Sequence, residues 1–510
     1  MKDARSIMFG AALISVILSL WAITRDDLIN NDGILYISTA KLFLDGQWRA
    51  ALELYPWPFY PALIAAVSLI SRLPLEAAAQ SLDTVFLAAM VYCFVGLVRE
   101  MGAGRNTLLL AAFSILCLPY INESRADIVR DHGYWAFYVA SLWALVRFQT
   151  TLNWRDAAWW NFAIAMAILF RAQHLFIAPL LPLTLLLLRE VPMRKRLGAF
   201  LLANALPIAS VIAAGLALAL FPSLHPSQSP LAEIGVRIDQ LLAQLTHGMQ
   251  ARADAVSDAF LAPHADDYAM GVVVAALLII LTDKFISGLT LAFLVLLLIP
   301  ELRRKNPISR ITLKTLGLAA LLNVALLLAY LITQLHLSTR YVIPLVLTVL
   351  PLVGFTLNAV YKTWQQRERQ NKGVRLLYPL LAIWLAVMTI DGLVSTSASK
   401  VYVKQAGQWL RENAAPNARI FTSSQRLDYY AGVPLDWSFR TATELPDRFL
   451  PEGNVADYDY LAIQVPRKLG DADRARLTSA RLELLQHFEN ERGDAVNIYR
   501  PQQDAIQQEP

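Results

Sequence analysis

Residues 7–24 read IMFGAALISVILSLWAIT, and residues 25–61 continue RDDLINNDGILYISTAKLFLDGQWRAALELYPWPFYP. The first stretch has no charged side chain, which is the pattern of a membrane-spanning helix. Only Lys2, Asp3 and Arg5 carry charge before it, and no small-residue cleavage site follows it. We therefore expect an uncleaved first span rather than a signal peptide. The polar groups that follow the span indicate chemistry at a membrane surface.

The composition points to a polytopic membrane protein. Of 510 residues, 56% are hydrophobic and 17% are charged, whereas soluble domains carry about 25% charge. Cys93 and Cys117 both lie in apolar runs, so we expect core residues and neither a disulfide framework nor a metal site. The absence of a Gly-rich phosphate loop argues against ATP-driven transport. The net charge of +5 comes from loops between spans, so no nucleic-acid partner is expected.

Eleven apolar runs are predicted as spans, and the basic loops between them alternate. Loops such as Arg189–Arg196 and Arg303–Arg310 are rich in Lys and Arg, and such loops stay cytoplasmic. The N-terminus is therefore expected inside and the C-terminal tail outside. The predicted spans cover residues 7–24, 76–98, 106–121, 133–150, 157–170, 175–189, 197–221, 270–300, 311–335, 341–360 and 376–397.

Two apolar segments are treated differently from the rest. Phe59–Ile70 is too short to cross a bilayer, and counting it would place every later basic loop outside. We predict an amphipathic helix in the outer interface, anchored by aromatic residues such as Trp57. Thr282-Asp283-Lys284 interrupts 270–300, so this segment is either one span or an interfacial helix followed by a shorter span.

The predicted fold class is an all-α polytopic membrane protein with a small C-terminal α/β domain. The membrane domain covers 1–397, with outer loops at 25–75, 122–132 and 222–269, the last of them with short helices. The tail, 398–510, has soluble composition and alternating helix and strand patterns. Its predicted helices are Ser399–Arg411 and Asp471–Leu485, and its predicted strands are Ala418–Ser423, Tyr458–Val465 and Val496–Tyr499.

Charged residues at the outer ends of the spans are candidate site residues, because charge at membrane depth is costly and usually faces a cavity or a partner. The loop 122–132 carries Arg125, Asp131 and His132, span five ends in Arg171, and span ten opens with Arg340-Tyr341. Together with Asp32 from the first loop, these groups are expected to converge on one outer cavity.

Such a set suits transfer from a lipid-phosphate donor. The reaction needs a base for the incoming hydroxyl and a cation for the departing phosphate. We assign Asp32 as the base, Asp131 as a second acidic group and Arg340 as the phosphate contact, because the arginine fork binds two oxygens at once. A divalent ion between Asp32 and Asp131 is compatible with these groups, but two carboxylates do not require one.

Simpler interpretations exist for each of these residues. Asp32-Gly33 is also the pattern of a turn or a helix cap, and Asp131 equally suits a cap of span four. Arg340 is also a suitable interface anchor that extends to lipid headgroups. Lys41 lies on an amphipathic segment where interfacial positions are common.

At these residues the chain resembles the GT-C superfamily of integral-membrane glycosyltransferases, which includes protein O-mannosyltransferases and aminoarabinose transferases. Four segments carry the resemblance: Asn31-Asp32-Gly33 with Tyr36, the segment from Tyr55 to Leu63, the pair of Ser124-Arg125 with Asp131-His132-Gly133, and Thr339–Pro344. The resemblance covers roughly residues 1–400 in order and topology.

The resemblance implies an inverting transfer from a polyprenyl-phosphate sugar to a lipid, glycan or protein hydroxyl. The site then faces the periplasm of a bacterial inner membrane and lies against membrane lipids. Asp32 and Asp131 are implied as catalytic, and substrate or phosphate contacts are assigned to Arg340, Arg171, Tyr36, Lys41, Tyr55, Arg125, His132 and Tyr341. His132 stands where some relatives have an acidic or amide residue, which argues against a metal site.

Other functions stay open at this point. A lipid-linked glycan polymerase or ligase also uses outer-loop arginines. A transporter or flippase often has repeat symmetry between its halves, and this chain has no evident repeat. A non-enzymatic scaffold that uses the C-terminal domain is the third alternative.

Overall fold

The fold is described from a computed structural model of the chain. Helices and strands are numbered in chain order along the described residues. These residues are 2–25, 28–220, 239, 242–261, 264–299, 308–365, 372–393, 400–435, 437, 450–451, 454–465, 467 and 469–502.

The chain divides into two compact units that do not follow the order of the sequence. The first consists of Met1–Ser19, Asp83–Arg125 and Arg130–Leu393. The second consists of Leu20–Leu82, Ala126–Val129 and Val394–Pro510. The first loop, 25–75, and the C-terminal tail therefore belong to one unit, and the helices Lys2–Arg25 and Leu75–Glu100 each contribute to both units.

Helices dominate the first unit, since long apolar runs satisfy their backbone polar groups internally only as helices. Its described helices include several that match the predicted spans closely, such as 311–335 in α16. They are α1 (Lys2–Arg25), α5 (Leu75–Glu100), α6 (Arg105–Leu116), α7 (Pro119–Glu123), α8 (Asp131–Thr151), α9 (Trp154–Phe170), α10 (His174–Leu180), α11 (Met193–Ala203), α12 (Ala205–Leu220), α13 (Met249–Phe260), α14 (Ala269–Leu289), α15 (Leu291–Leu298), α16 (Arg310–Gln334), α17 (Thr339–Gln365) and α18 (Lys372–Leu393).

The predicted number of eleven spans is not confirmed. Among the described residues, five helices are long and apolar enough to cross a membrane, and there are up to seven if each of two bent pairs is one span. The remaining predicted spans are 133–150, 157–170, 175–189 and 376–397. They lie in helices that do not meet both criteria over the described residues.

Several predicted spans contain a break with a local cause. Span 106–121 bends by 54° between α6 and α7, where Pro119 cannot donate a backbone hydrogen bond. Span 197–221 bends by 60° between α11 and α12. Span 175–189 changes to a 3₁₀ helix at Leu181, next to Pro182. Span 270–300 breaks at Thr290, whose φ is 74°.

Close helix contacts in the first unit depend on glycine. A Cβ at Gly133 would lie 2.3 Å from the Phe170 ring, so helices α8 and α9 approach too closely for a side chain there. At Gly354, a Cβ would lie 2.7 Å from Cβ of Ala111. Small residues let membrane helices pack backbone against backbone, which replaces the missing hydrophobic driving force in lipid.

The second unit contains the short helices of the first loop. The predicted interfacial helix 59–70 forms as α4 and is short, as expected. Gly33 in α2 packs against Ile128, since its Cβ would lie 3.0 Å from that side chain. The backbone N–H of Ile29 donates to Oη of Tyr430 at 2.9 Å, which ties the loop to the tail. The helices are α2 (Asn31–Leu44), α3 (Trp48–Leu54), α4 (Phe59–Ser71), α19 (Val401–Asn413), α20 (Gln425–Ala431) and α21 (Asp471–Ser479).

The tail forms a four-stranded sheet in the order β1-β2-β4-β3. Strands β1 and β2 are parallel, and β4 is antiparallel to both β2 and β3. Residues of α19 and α20, such as Leu410 and Leu427, are buried in one core with Val496 of the sheet. The strands are β1 (Ile420–Thr422), β2 (Tyr460–Val465), β3 (Leu482–Glu489) and β4 (Ala495–Pro501).

The predicted helix Asp471–Leu485 is wrong in its second half. The helix ends at Ser479, and a strand begins at Leu482. Arg481 between them has a φ of 46°, which ends the helix. Apolar residues at 482, 484, 485 and 488 fit a helix as well as a strand, and pairing with β4 decides between them. The prediction for 222–238 lies outside the described residues.

Candidate functional site

An ion pair between Asp131 and Arg171 lies at the centre of the candidate site in the first unit. Asp131 is the first residue of α8, and Arg171 directly follows α9. Their side chains are 2% and 6% exposed, so both charges are almost completely withdrawn from water. A buried charge is tolerated when a partner of opposite sign accompanies it. The short loop between α8 and α9 and the close packing at Gly133 bring the two groups together.

Two arginines share the ring of Tyr341. The guanidinium of Arg171 lies 4.5 Å from the ring centroid, and that of Arg340 lies 5.2 Å from it. Arg340 also donates from Nη2 to Tyr341 Oη at 3.3 Å. Tyr330 packs edge-on against Tyr341 with ring centroids 5.0 Å apart. Cation–π contacts of this kind hold guanidinium groups in place without neutralising their charge.

A second buried pair involves a residue that the sequence interpretation missed. His132 Nδ1 lies 3.5 Å from Asp83 Oδ2, and both side chains are at most 1% exposed. Asp83 lies inside the apolar helix α5, where an ionisable residue is itself a signal of function. That signal was available in the sequence. The partner was not, because Asp83 and His132 are far apart along the chain.

A buried polar track continues from the ion pair into the first unit. Arg171 lies 5.8 Å from the ring of Tyr134, and the His174 ring contacts both Tyr134 and Tyr138 at centroid distances of 5.0 and 5.1 Å. His174 is fully buried. Tyr138 Oη accepts a hydrogen bond from Asn323 Nδ2 at 2.8 Å. The predicted site is therefore linked to polar groups deep among the helices.

Arg125 is buried among neutral groups. Its Nη1 donates to the Ser15 carbonyl at 3.0 Å and to Ser19 Oγ at 2.9 Å. Its Nε donates to Asn122 Oδ1 at 2.8 Å. These bonds join the 122–125 segment to helix α1, so packing alone accounts for the position of Arg125. Its predicted contact with phosphate stays a prediction.

Asp32 lies in the second unit, half-buried in the first turn of α2. Asn30 at the preceding N-cap makes no side-chain cap bond. Its Oδ1 instead accepts from the Ile128 N–H at 2.9 Å, and its Nδ2 donates to the Ile128 carbonyl at 3.3 Å. The segment Ala126–Val129 is thereby held against the start of α2. The N-terminus of a helix stabilises a carboxylate such as that of Asp32.

Three tyrosines form an aromatic cluster in the same unit. The Tyr36 ring lies 5.4 Å from that of Tyr55 and 5.1 Å from that of Tyr60, both edge-on. The structure thus brings together two parts of the first loop, α2 and the Pro/aromatic segment before α4. Lys41 lies on the exposed side of α2.

The predicted residues therefore fall into two groups. Asp131, Arg171, Arg340 and Tyr341 form one contiguous cluster in the first unit, with His132 beside it in α8. Asp32, Tyr36, Lys41 and Tyr55 belong to the second unit.

The donor set does not favour a metal site. No group of three or more His, Cys, Asp or Glu side chains in the described part of the chain has the arrangement to hold a metal ion. The Asp131 carboxylate is already paired with Arg171.

No protein-family model and no curated protein sequence matches the chain. The fold is similar to that of a solved oligosaccharyltransferase from Archaeoglobus fulgidus, in complex with Zn and sulfate, at 16% identity and a TM-score of 0.49. That match covers 84% of this chain and 61% of the other, so the chain spans about three fifths of the length of the oligosaccharyltransferase.

ArnT from Cupriavidus metallidurans, solved in the apo state, is similar at 12% identity and a TM-score of 0.49. That match covers 96% of this chain and 98% of ArnT.

Proposed function

We propose that this chain is an inverting glycosyltransferase. It moves a sugar from a polyprenyl-phosphate donor to a hydroxyl of a lipid, glycan or protein at the outer face of a bacterial inner membrane. The observation that carries the proposal is the pair of arginines on Tyr341. Arg340 and Tyr341 lie in the first turn of α17, and a helix N-terminus together with arginine forks is a favourable site for a phosphate.

The roles follow from the charges. Asp32 accepts the proton of the acceptor hydroxyl while the oxygen of that hydroxyl forms a bond to the anomeric carbon of the sugar. The bond from that carbon to the phosphate oxygen breaks on the opposite face, and polyprenyl phosphate leaves. Arg340 stabilises the charge that develops on the departing phosphate. Asp131 holds Arg171 in position beside the same tyrosine ring.

His132 and Asp83 have a supporting role in this proposal. A carboxylate beside a histidine ring orients it and selects its tautomer. Tyr36, Tyr55 and Lys41 are assigned to the acceptor or the sugar, and Arg125 to the phosphate. The polyprenyl chain of the sugar donor lies among the membrane lipids.

The test compares Asp32→Asn with Asp45→Asn. Asp45 is an exposed carboxylate at the other end of the same helix, so it is a matched control. Mass spectrometry of lipids and surface glycans from a deletion strain first identifies the missing sugar and its acceptor. Membranes are then assayed with that sugar on polyprenyl phosphate.

We expect Asp32→Asn to lower transfer by about 100-fold to 10,000-fold, the range of general-base catalysis, and Asp45→Asn to leave it unchanged. Full transfer by Asp32→Asn contradicts the assigned base. Consumption of a lipid-diphosphate donor instead indicates a polymerase or ligase.

A further inference from the structure

A cavity of about 650 Å³ lies between helices α1, α6 and α18 of the first unit. Such a volume is in the range of small-molecule and lipid sites. Its walls are mainly apolar and include Gly10 and Ile14 of α1 and Leu109 and Phe113 of α6. None of these residues belongs to the candidate active site.

The helices α1 and α6 run in the same direction along the cavity. Arg125, shortly after α6, bonds to Ser15 and Ser19 in the second half of α1. The two helix starts therefore lie at the same end of the cavity, and this end carries Asp3 and Arg105, which both line it. We call it the charged mouth.

The charged mouth presents one anion and one cation. Asp3 and Arg105 are both exposed, and neither forms an ion pair within the described part of the chain. Two opposite charges that line one opening without pairing leave room for a group between them. A headgroup with one phosphate and one ammonium complements both charges.

The length of the cavity suits a lipid chain. It follows α1 from Asp3 to Leu18, which is about 22 Å at about 1.5 Å per residue. One leaflet contributes about half of the roughly 30 Å hydrocarbon core. The cavity is therefore long enough for a lipid chain that crosses one leaflet. Space for the chain exists beside Gly10, because a Cβ there would meet no atom within 4 Å.

We propose that this cavity binds one chain of a zwitterionic phospholipid, with its phosphate on Arg105 and its ammonium on Asp3. The same chemistry disfavours an anionic polyprenyl phosphate, since that lipid has no cation for Asp3. The site is independent of the proposed glycosyl transfer, and its test has a binding readout only.

The experiment is native mass spectrometry of the purified full chain in detergent, titrated with phosphatidylethanolamine and with phosphatidylglycerol of the same acyl chains. We expect Gly10→Leu to weaken binding of phosphatidylethanolamine, because the added side chain occupies space beside residue 10 that the lipid chain would take. Gly317→Leu is the matched control, because Gly317 lies in α16 and also faces open space. It should bind as the unaltered protein does.

Two exposed substitutions test the headgroup without disturbing the core. Arg105→Gln should weaken the binding of phosphatidylethanolamine to the protein about fivefold. This factor is equivalent to about 1 kcal/mol per charge at a membrane surface. Asp3→Asn should remove the preference over phosphatidylglycerol. Equal binding of both lipids by the unaltered protein, or unchanged binding of phosphatidylethanolamine by Gly10→Leu, overturns the proposal.

Discussion

Two carboxylates that look alike in the sequence lie in different surroundings. Asp32-Gly33 and Asp131-His132-Gly133 both occur at the start of a helix, and both glycines pack too closely for a Cβ. Asp131 in the first unit is 2% exposed and paired with Arg171. Asp32 in the second unit is half-buried. Breaking a buried charge pair leaves an uncompensated charge and destabilises the fold, whereas a half-buried carboxylate keeps an accessible oxygen that can accept a proton.

The largest effect is expected from Asp131→Asn. Removing one partner of a buried ion pair leaves an uncompensated charge on Arg171, which costs about 3–5 kcal/mol of stability. The double variant Asp131→Asn/Arg171→Met should recover much of that loss, because no charge remains buried. Unfolding in mixed detergent measures both variants.

The control for this prediction is an exposed pair in the second unit. Arg49 Nε lies 2.9 Å from Glu53 Oε1, with side chains 93% and 66% exposed. Glu53→Gln should change stability by about 0.5 kcal/mol or less. If Asp131→Asn behaves like Glu53→Gln, the contrast between the two units in charge burial is wrong.

A smaller effect is expected from Asn30→Ala in the second unit. The change removes both hydrogen bonds to the Ile128 backbone. A neutral hydrogen bond of this kind contributes about 1 kcal/mol to the free energy of unfolding. The exposed neighbour Asn31 provides the control, since Asn31→Ala removes no such bond. Hydrogen exchange at residues 126–129 reports the release directly. Unchanged exchange there would mean that Gly33 packing alone holds this segment.

The smallest effect concerns pH and the sheet of the tail. The bond from His487 Nδ1 to Asn497 Oδ1, at 2.6 Å, and the Glu489 carboxylate near Nε2, at 3.2 Å, raise the pKa of His487 above its ordinary value of 6.5. A group whose folded-state pKa is raised stabilises the fold fully below pH 6.5, and that contribution is lost as the pH rises through the raised value.

Thermal unfolding of His487→Gln and of the unaltered chain, compared between pH 5.5 and pH 8.5, checks the direction of this pH dependence. This pH range spans roughly the ordinary histidine pKa. The unaltered chain should have the higher unfolding temperature at low pH, and the difference in unfolding temperature between the two chains should shrink as the pH rises. Because His487 is nearly half exposed, solvent screening keeps the effect below that of Asn30→Ala. A difference that grows with pH contradicts the assignment.

The local pattern of apolar residues correctly predicted those helices whose formation depends on residues close together in the sequence. The apolar run 311–335 forms α16 within one residue at each end, and 59–70 forms the short helix α4. The β3 strand was missed because its apolar spacing fits two periods and its pairing partner lies further along the chain. Breaks at Pro119 and Pro182 have a local signal, yet the size of a bend depends on the helices packed against it.

Candidate site residues were predictable as types but not as partners. The cost of charge at membrane depth singles out Asp131, Arg171 and Arg340 from sequence. The convergence of the two arginines on Tyr341 was expected only in general terms, and the pairing of His132 with Asp83 was not expected. Contacts between residues distant in sequence depend on helix packing, which hydropathy does not encode.

By itself, the sequence determined that this chain has many apolar helices, a polar first loop and a tail of soluble composition, because those properties are sums over neighbouring residues. Only the tertiary structure decided that the first loop and the tail form one unit, and that Asp131 is paired with an arginine while Asp32 lies half-buried at a helix start. The reason is that burial and ion pairing depend on which distant segments meet, and similar motifs at two helix starts meet different neighbours.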